Sequence, residues 1–127
     1  MTESRESSRE MVEQIVAAYN AKDVDALVAL YHPDARYWSA LGDWQEGIAA
    51  ITEHIEELHR TLPDEQMEIL SLVGGEGVAV AEFRSTGRNP AGVDYSIEFS
   101  EVIEITDGKI TQVKVYLDPE EVRAVMG

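Results

Sequence analysis

The sequence predicts a single α+β domain in which helices cover one face of an antiparallel sheet, and three observations support this prediction. Apolar residues recur at helical spacing through the first half of the chain. After Pro63 the spacing changes to every second residue, as in strands that place one face on a core. Asp107-Gly108 then joins two such segments, which is a strong hairpin signal. Helices followed by an antiparallel meander are typical of two packed layers.

The N-terminal part of the chain contains the first predicted helix. This helix runs from about Glu6 to Asn20, and its apolar residues form one stripe: Met11, Val12, Ile15, Val16 and Tyr19. Residues 1–10 are polar and lack an apolar stripe, so we expect a flexible tail there. Residues 11–127 are then expected to form the one domain.

Two further helices are predicted before the strands. A short helix begins at the N-cap Asp23 and is broken by His32-Pro33, because the residue before a proline is disfavoured in a helix. A short extended segment follows. The third helix ends at Pro63 and presents one apolar stripe: Ile48, Ile51, Ile55, Leu58 and Leu62.

Four strands are predicted in the second half of the chain, separated by glycine-containing turns. Their sequences are "MEILSLV", "GVAVAEFRSTG", "VDYSIEFSEVIEI" and "KITQVKVYLD". The segment "PEEVRAVM" is expected to close the chain as a short helix. Because a sheet and a helical layer often leave room between them, we expect a pocket there.

The composition excludes several classes of partner. A formal charge of −15 opposes binding to nucleic acids and to anionic membranes, and it leaves neutral or cationic small molecules as easier ligands. Without cysteine the chain has no disulfide framework and no thiol nucleophile. The opening "MTESRESSRE" lacks the apolar core of a signal peptide, so we expect a cytoplasmic protein.

One acidic residue interrupts an otherwise apolar strand face. In "DYSIEFSEVIEI", alternate residues from Tyr95 to Ile105 are apolar except Glu101. Burial in a pocket would raise the pKa of this carboxyl above its usual value of roughly 4.3, so that it could act as a base or a neutral donor near pH 7. The alternative is a structural carboxylate satisfied by a buried tyrosine or a backbone amide.

Several segments together resemble a known superfamily. "VEQIVAAYNAKDVDALVALYHPDA", "EGIAAI" and "VIEITDGKI" followed by "YLDP" are similar to the nuclear-transport-factor-two-like superfamily, in particular its SnoaL-like polyketide cyclase and ketosteroid isomerase branches. The resemblance implies a cystatin-like α+β roll, in which a curved antiparallel sheet wraps around three N-terminal helices to form a cone with an internal apolar pocket. It also implies a homodimer joined through the sheet. Fold alone does not specify the reaction.

The superfamily's functional residues are only partly present. In ketosteroid isomerases the resemblance places the catalytic base at Ser39 and a tyrosine donor at Ile15, so neither group is available here. Their protonated second acid corresponds to Glu101, which is retained. Of the catalytic residues of limonene epoxide hydrolases, this sequence keeps only Tyr37. The resemblance places their other catalytic positions at apolar or serine residues: Ser39, Phe83, Ser85 and Val115.

The remaining candidates complete a hypothetical site around Glu101. His54 corresponds to a pocket-lining aromatic residue of the family and would form an acid-base couple with Glu101, or else lie on the helix flank. Tyr37 and Ser39 share one strand face and would orient a carbonyl or water, although a buried tyrosine can simply complete the core. Trp44 is expected to cover the pocket mouth. The expected apolar lining is Ile15, Tyr19, Phe83, Phe99 and Val115.

The sequence therefore predicts a pocket for a neutral, largely apolar small molecule, with Glu101, His54 and Tyr37 as catalytic candidates. The predicted reaction is proton transfer next to a carbonyl, as in isomerisation or cyclisation. The alternative is a ligand-binding or protein-association domain without catalysis. No metal ligands occur at "HExxH" spacing and no glycine-rich phosphate loop opens a helix, so we expect no metal and no cofactor.

Overall fold

A computed structural model describes residues 4–126 and has four helices and six strands. The helices are α1 (Arg5–Asn20), α2 (Val24–Val28), α3 (Ile48–Thr61) and α4 (Pro119–Met126). The strands are β1 (Tyr31–Ser39), β2 (Gln45–Glu46), β3 (Gln66–Gly75), β4 (Val78–Arg88), β5 (Asp94–Thr106) and β6 (Lys109–Tyr116). The predicted α+β class is confirmed, because α1, α2 and α3 pack together on one face of the sheet.

The six strands form one sheet in the order β2-β1-β6-β5-β4-β3. The strands from β3 to β6 form the predicted antiparallel meander. The sheet is not antiparallel throughout, however, since β1 runs parallel to β6. These two strands are not joined by a hairpin, and most of the chain lies between them, so no turn imposes opposite directions on them.

The first helix begins earlier than the predicted tail allows. The side chain of Ser4 accepts a hydrogen bond from the Ser7 amide at 3.0 Å and so caps α1. Arg9 donates to the Leu72 carbonyl of β3 at 2.6 Å. A Cβ on Gly74 would lie only 2.3 Å from a backbone oxygen of α1, so helix and strand approach closely there. Residues 5–10 are thus part of the packed domain, while residues 1–3 lie outside the described chain.

The second helix is shorter than the sequence predicts. It ends at Val28, and His32-Pro33 lies within β1 instead of breaking a helix. The pairing of β1 with β6 shifts register between Tyr31 and Arg36. Pro33 lies in this irregular stretch, where its missing N–H costs no ladder hydrogen bond.

Two apolar clusters hold the layers together. The larger one lies between the helices and the sheet, and its fully buried members include Leu27, Ile51, Phe83 and Ile103. The smaller one joins the end of α3 and the start of β5 to the last helix; its members are Leu62, Tyr95 and Ile97, with Val122, Val125 and Met126 packed on them. The smaller cluster therefore places α4 over one end of the space between the layers.

None of the described helices is long and apolar enough to cross a lipid bilayer.

Candidate functional site

A cavity of about 480 Å³ lies between the concave face of the sheet and the helices. Most of its wall is apolar, with contributions from all four helices and all six strands of the described residues. Representative apolar side chains are Ile15, Leu27, Ile55, Phe99, Val115 and Met126. A volume of this size can enclose a small organic molecule.

Glu101 is the most distinctive group in this cavity. Its side chain projects from β5, is only 8% exposed, and lies between Ala81 of β4 and Val115 of β6 in the sheet register. Within residues 4–126 its carboxyl forms no hydrogen bond and no ion pair. Burial, reinforced by the charge of Glu65, raises its pKa to about 7. The group can therefore take up and release a proton near neutral pH.

Two tyrosines of β1 share the cavity with Glu101. Burial raises the pKa of Tyr31 and of Tyr37 above the usual value, and the charge of Glu101 adds to both shifts. Both phenols therefore stay protonated. Neither hydroxyl forms a hydrogen bond to the part of the chain that the structure describes. They are free donors for an oxygen atom placed beside Glu101.

His54 contacts the site through Tyr37 and does not pair with Glu101. The His54 and Tyr37 rings lie 4.9 Å apart, centroid to centroid, at an interplanar angle of 49°. Burial lowers the pKa of His54, so the imidazole is neutral at pH 7. No hydrogen bond or ion pair within residues 4–126 links His54 to Glu101, so the direct couple expected from the sequence is not formed.

A second buried carboxylate lies in the turn before β3. Glu65 is 7% exposed and lines the cavity. It accepts hydrogen bonds from the Tyr19 hydroxyl and, at 2.5 Å, from the Ser85 hydroxyl, and Ser85 in turn lies 2.9 Å from the Tyr95 hydroxyl. The Glu65 carbonyl accepts from Lys22 Nζ at 2.8 Å, which fixes the turn against the start of α2. This network satisfies one of the two buried carboxylates that line the cavity, while the second, Glu101, has no hydrogen-bond partner in the described chain.

A protein-family model described as the SnoaL-like domain matches residues 12–113. The chain belongs to the SnoaL-like domain family. No protein of curated function matches its sequence at a significant level. The family assignment confirms the superfamily that the sequence motifs resemble.

Solved structures share the fold of this SnoaL-like domain at low sequence identity. A candidate polyketide cyclase from Pseudomonas putida is 24% identical, with a TM-score of 0.81 over 94% of this chain and 98% of the other. A candidate SnoaL-like polyketide cyclase from Jannaschia sp. CCS1 is 16% identical, with a TM-score of 0.87 over 96% and 92%. A ketosteroid isomerase-like protein from Catenulispora acidiphila, solved with trimethylamine, is 18% identical, with a TM-score of 0.83 over 94% of each chain.

In this SnoaL-like domain, all but two of the site residues proposed from the sequence line the cavity. Those that do are Ile15, Tyr19, Tyr37, Ser39, His54, Phe99, Glu101 and Val115. The hydroxyl of Ser39 also accepts a hydrogen bond from the Leu41 amide at 3.2 Å, so it supports the turn after β1.

Trp44 and Phe83 do not line the cavity, in contrast to the prediction. Trp44 precedes β2, which pairs with β1, and its ring stacks on the Arg36 guanidinium at 4.0 Å and contacts Trp38 at 6.4 Å. It therefore covers the outer side of the sheet edge. Phe83 faces inward but is fully buried, with its ring 5.4 Å from that of Phe99. Phe99, its cross-strand neighbour, does line the cavity.

Sequence reasoning missed two residues of the site. Tyr31 shares its strand face with Tyr37 and Ser39, but the predicted helix extended past it and hid this alternation. Glu65 follows Pro63-Asp64 in a turn, where an acid normally faces water. Nothing in the local sequence indicates that Tyr19 and Ser85, from two distant elements, will receive its carboxylate.

Among residues 4–126, no group of three or more histidines and acids could hold a metal ion.

Proposed function

We propose that this SnoaL-like domain binds a small, largely apolar molecule in its cavity and catalyses proton transfer next to a carbonyl of that molecule. The observation that carries the proposal is Glu101: a buried carboxyl on the cavity wall without a hydrogen-bond partner in the described chain. An unpartnered buried carboxyl is costly to stability, and such costs are typical of functional sites. The shared fold of candidate polyketide cyclases and the neighbour with bound trimethylamine support small-molecule binding.

The arrangement supports an enolisation. The Glu101 carboxylate removes a proton from the carbon next to the carbonyl; the electron pair of the broken C–H bond forms the C=C bond of the enolate, and the π pair of the carbonyl moves to its oxygen. Tyr31 and Tyr37 donate hydrogen bonds to the developing enolate oxygen. Where the ligand also has a C=C bond one carbon further on, protonated Glu101 then returns the proton to the far carbon of that double bond, which shifts the double bond and completes an isomerisation. In a cyclisation, the enolate carbon instead bonds to a second carbonyl carbon, and the proton goes to the new alkoxide.

A proton-exchange assay tests this proposal without knowledge of the natural substrate. 2-Tetralone is a compact apolar ketone whose protons next to the carbonyl exchange with D2O, and NMR measures the rate. We expect the protein to accelerate exchange and Glu101→Gln to abolish the acceleration. Glu98→Gln is the matched control, because Glu98 lies on the same strand with its side chain 66% exposed. Equal exchange by the wild type and Glu101→Gln would reject Glu101 as the base.

A binding domain without catalysis is the second candidate. One observation favours it: the position where the resemblance places the isomerase base is Ser39, whose hydroxyl is engaged in a turn. A protein that binds 2-tetralone in the cavity without accelerating its exchange would support this alternative.

We also propose that the protein forms a homodimer through the outer face of its sheet. An apolar row crosses this face, because Val73 pairs with Val80 and Val80 pairs with Val102 on adjacent strands. Val73 is 66% and Val80 is 42% exposed. A second copy that covers this row would remove it from water.

A further inference from the structure

We propose that the cavity recognises two ends of one ligand, and that the end at Glu65 accepts only a hydrogen-bond donor such as a hydroxyl, a phenol or a protonated amine. The carbonyl end, at Glu101, rests on the proposed function. The donor end rests independently on the hydrogen bonds around Glu65.

The donor requirement follows from the number of hydroxyl protons in the network. Tyr19 and Ser85 each have one proton, and each donates it to Glu65. Because the Ser85 proton is used in this way, the 2.9 Å contact between Ser85 and Tyr95 requires Tyr95 to be the donor. All three hydroxyl protons are therefore directed towards Glu65 along the hydrogen-bond network. No proton of the network remains for an acceptor atom in the cavity.

The network can still accept hydrogen bonds from a ligand. A carboxylate offers about four lone-pair positions, and two of those on Glu65 are occupied. Ser85 donates to one of these positions at 2.5 Å, a short hydrogen bond. A ligand carboxylate, phosphate or carbonyl would face only lone pairs and negative charge here. A hydroxyl or ammonium group would gain a charge-assisted hydrogen bond.

The two ends are well separated along the sheet. Ser85 pairs with Ile97, whereas Glu101 pairs with Ala81, so the two sites lie four residues apart on β4. At a rise of about 3.3 Å per residue, the backbone positions of these two pairs are roughly 13 Å apart along the strand, while the two carboxyls are close enough for the charge of Glu65 to act on Glu101. Phe99 lines the cavity between them. The chemistry of the wall therefore fits an elongated, apolar, rigid ligand with a carbonyl at one end and a donor at the other.

The charges around the cavity agree with this polarity. None of the described residues that line the cavity is a lysine or arginine, and Asp43 adds a further acid at its edge. Lys22, the nearest cation to Glu65, is engaged by the backbone carbonyl of that residue. Anionic ligands therefore have no counter-charge within the cavity.

Three naphthyl ketones that differ only at the far end provide the test. 6-Acetyl-2-naphthol carries a donor, 6-methoxy-2-acetonaphthone carries an ether without a proton, and 6-acetyl-2-naphthoic acid carries an anion. Their affinities at neutral pH are measured by fluorescence titration. We expect the naphthol to bind at least about tenfold more tightly than the ether, as for a buried hydrogen bond to a charged group, and the acid to bind most weakly.

Variants identify the residue that recognises the hydrogen-bond donor of the ligand. Glu65→Gln exchanges half of the acceptor for an amide donor, so we expect the preference for the naphthol to fall below about threefold. Tyr19→Phe keeps the carboxylate and exposes one more lone pair, so it should retain the preference. Glu98→Gln, which removes an exposed acid, should behave as the wild type. If Glu65→Gln does not fold, the inference is still tested by the affinities of the naphthol and the ether for the wild type and for Tyr19→Phe.

Failure of this inference is distinguishable from failure of the proposed function. Equal binding of naphthol and ether by the wild type would overturn the inference and leave the role of Glu101 intact. A preference that survives in Glu65→Gln would also overturn it. If no ketone binds while the neutral dye Nile red enters the cavity, the two-ended ligand class is wrong. If Nile red is excluded as well, both this inference and the proposed function fail.

Discussion

Glu101 lies directly opposite Ala81 in the register between β5 and β4, so the short alanine side chain leaves the carboxyl with an apolar neighbour. On the other flank it faces Val115 of β6. The strand thus presents to the cavity an acid whose carboxyl forms no hydrogen bond and no ion pair within the described residues.

We predict that Glu101 makes stability fall as the pH rises. Its folded pKa of about 7 exceeds the ordinary glutamate pKa of 4.5, so the folded protein binds more protons than the unfolded chain between these values. The free energy of unfolding therefore decreases through this window, by roughly 2 kcal/mol between about pH 5.5 and 8. In Glu101→Gln this decrease should disappear. Urea unfolding of both proteins across the pH range provides the measurement.

His54 changes the free energy of unfolding with pH in the opposite sense to Glu101, so the wild type must be compared with Glu101→Gln. Its lowered pKa means that the unfolded chain binds more protons there, so His54 makes stability rise with pH below about 6.5. Both proteins contain His54, and the difference between them isolates Glu101. A difference that stays constant with pH would show that Glu101 is ionised in the folded state throughout.

We predict that the hydroxyl of Tyr19 stabilises the fold. Tyr19→Phe removes a buried donor to the Glu65 carboxylate, and hydrogen bonds to charged groups contribute about 1.5–3 kcal/mol. Tyr116→Phe is the control, since Tyr116 is 47% exposed, and it should change stability by less than about 0.5 kcal/mol. Equal midpoints for the two variants in urea would show that the Tyr19 bond contributes nothing.

We predict that the two phenylalanines of the β4–β5 pair have separable roles. Phe83→Leu should lower stability by roughly 1–2 kcal/mol and leave affinity for 6-acetyl-2-naphthol unchanged, because Phe83 lies in the core and not on the cavity wall. Phe99→Leu should weaken that affinity by about 2- to 10-fold through loss of an aromatic contact. Titration and unfolding of both variants test the assignment, which is wrong if Phe83→Leu alone impairs binding.

We predict that a charge in the outer apolar row prevents dimer formation. Val80→Lys places an ammonium group in the centre of the proposed interface, and burying it there would weaken association by at least about tenfold. Val93→Lys is the control, because Val93 is 59% exposed in the turn between β4 and β5. Sedimentation equilibrium measures the association. A monomeric wild type would contradict the proposal directly.

Alternation predicts which way a side chain points but not what it meets. It places Glu101, Phe99 and Phe83 on the inward face, and the structure agrees. It does not distinguish a residue that lines the cavity from one that is buried in the core beside it, as Phe83 is. That distinction depends on the curvature of the sheet and on the size of neighbouring side chains, which are properties of the whole packed layer.

Residues that act across distant elements were not predictable from local pattern. Glu65 lies in a turn that looks solvated, yet Tyr19 and Ser85 bury its carboxylate. Trp44 was expected at the pocket mouth, but the short pairing of β2 with β1 places it beside Arg36. In both cases tertiary contacts override the local preference of the residue.

The parallel pairing of β1 with β6 has a kinetic consequence. Tyr37 is in register with Val113, which belongs to the opposite half of the chain, so this pair closes a very long loop. Hairpins between neighbouring strands close short loops and form earlier, whereas long-range parallel pairing is slow because its entropy cost precedes any gain in contacts. The wall that carries Tyr37 and Ser39 should therefore assemble late during refolding. Uptake of an apolar dye should then lag behind the formation of sheet structure in a stopped-flow experiment.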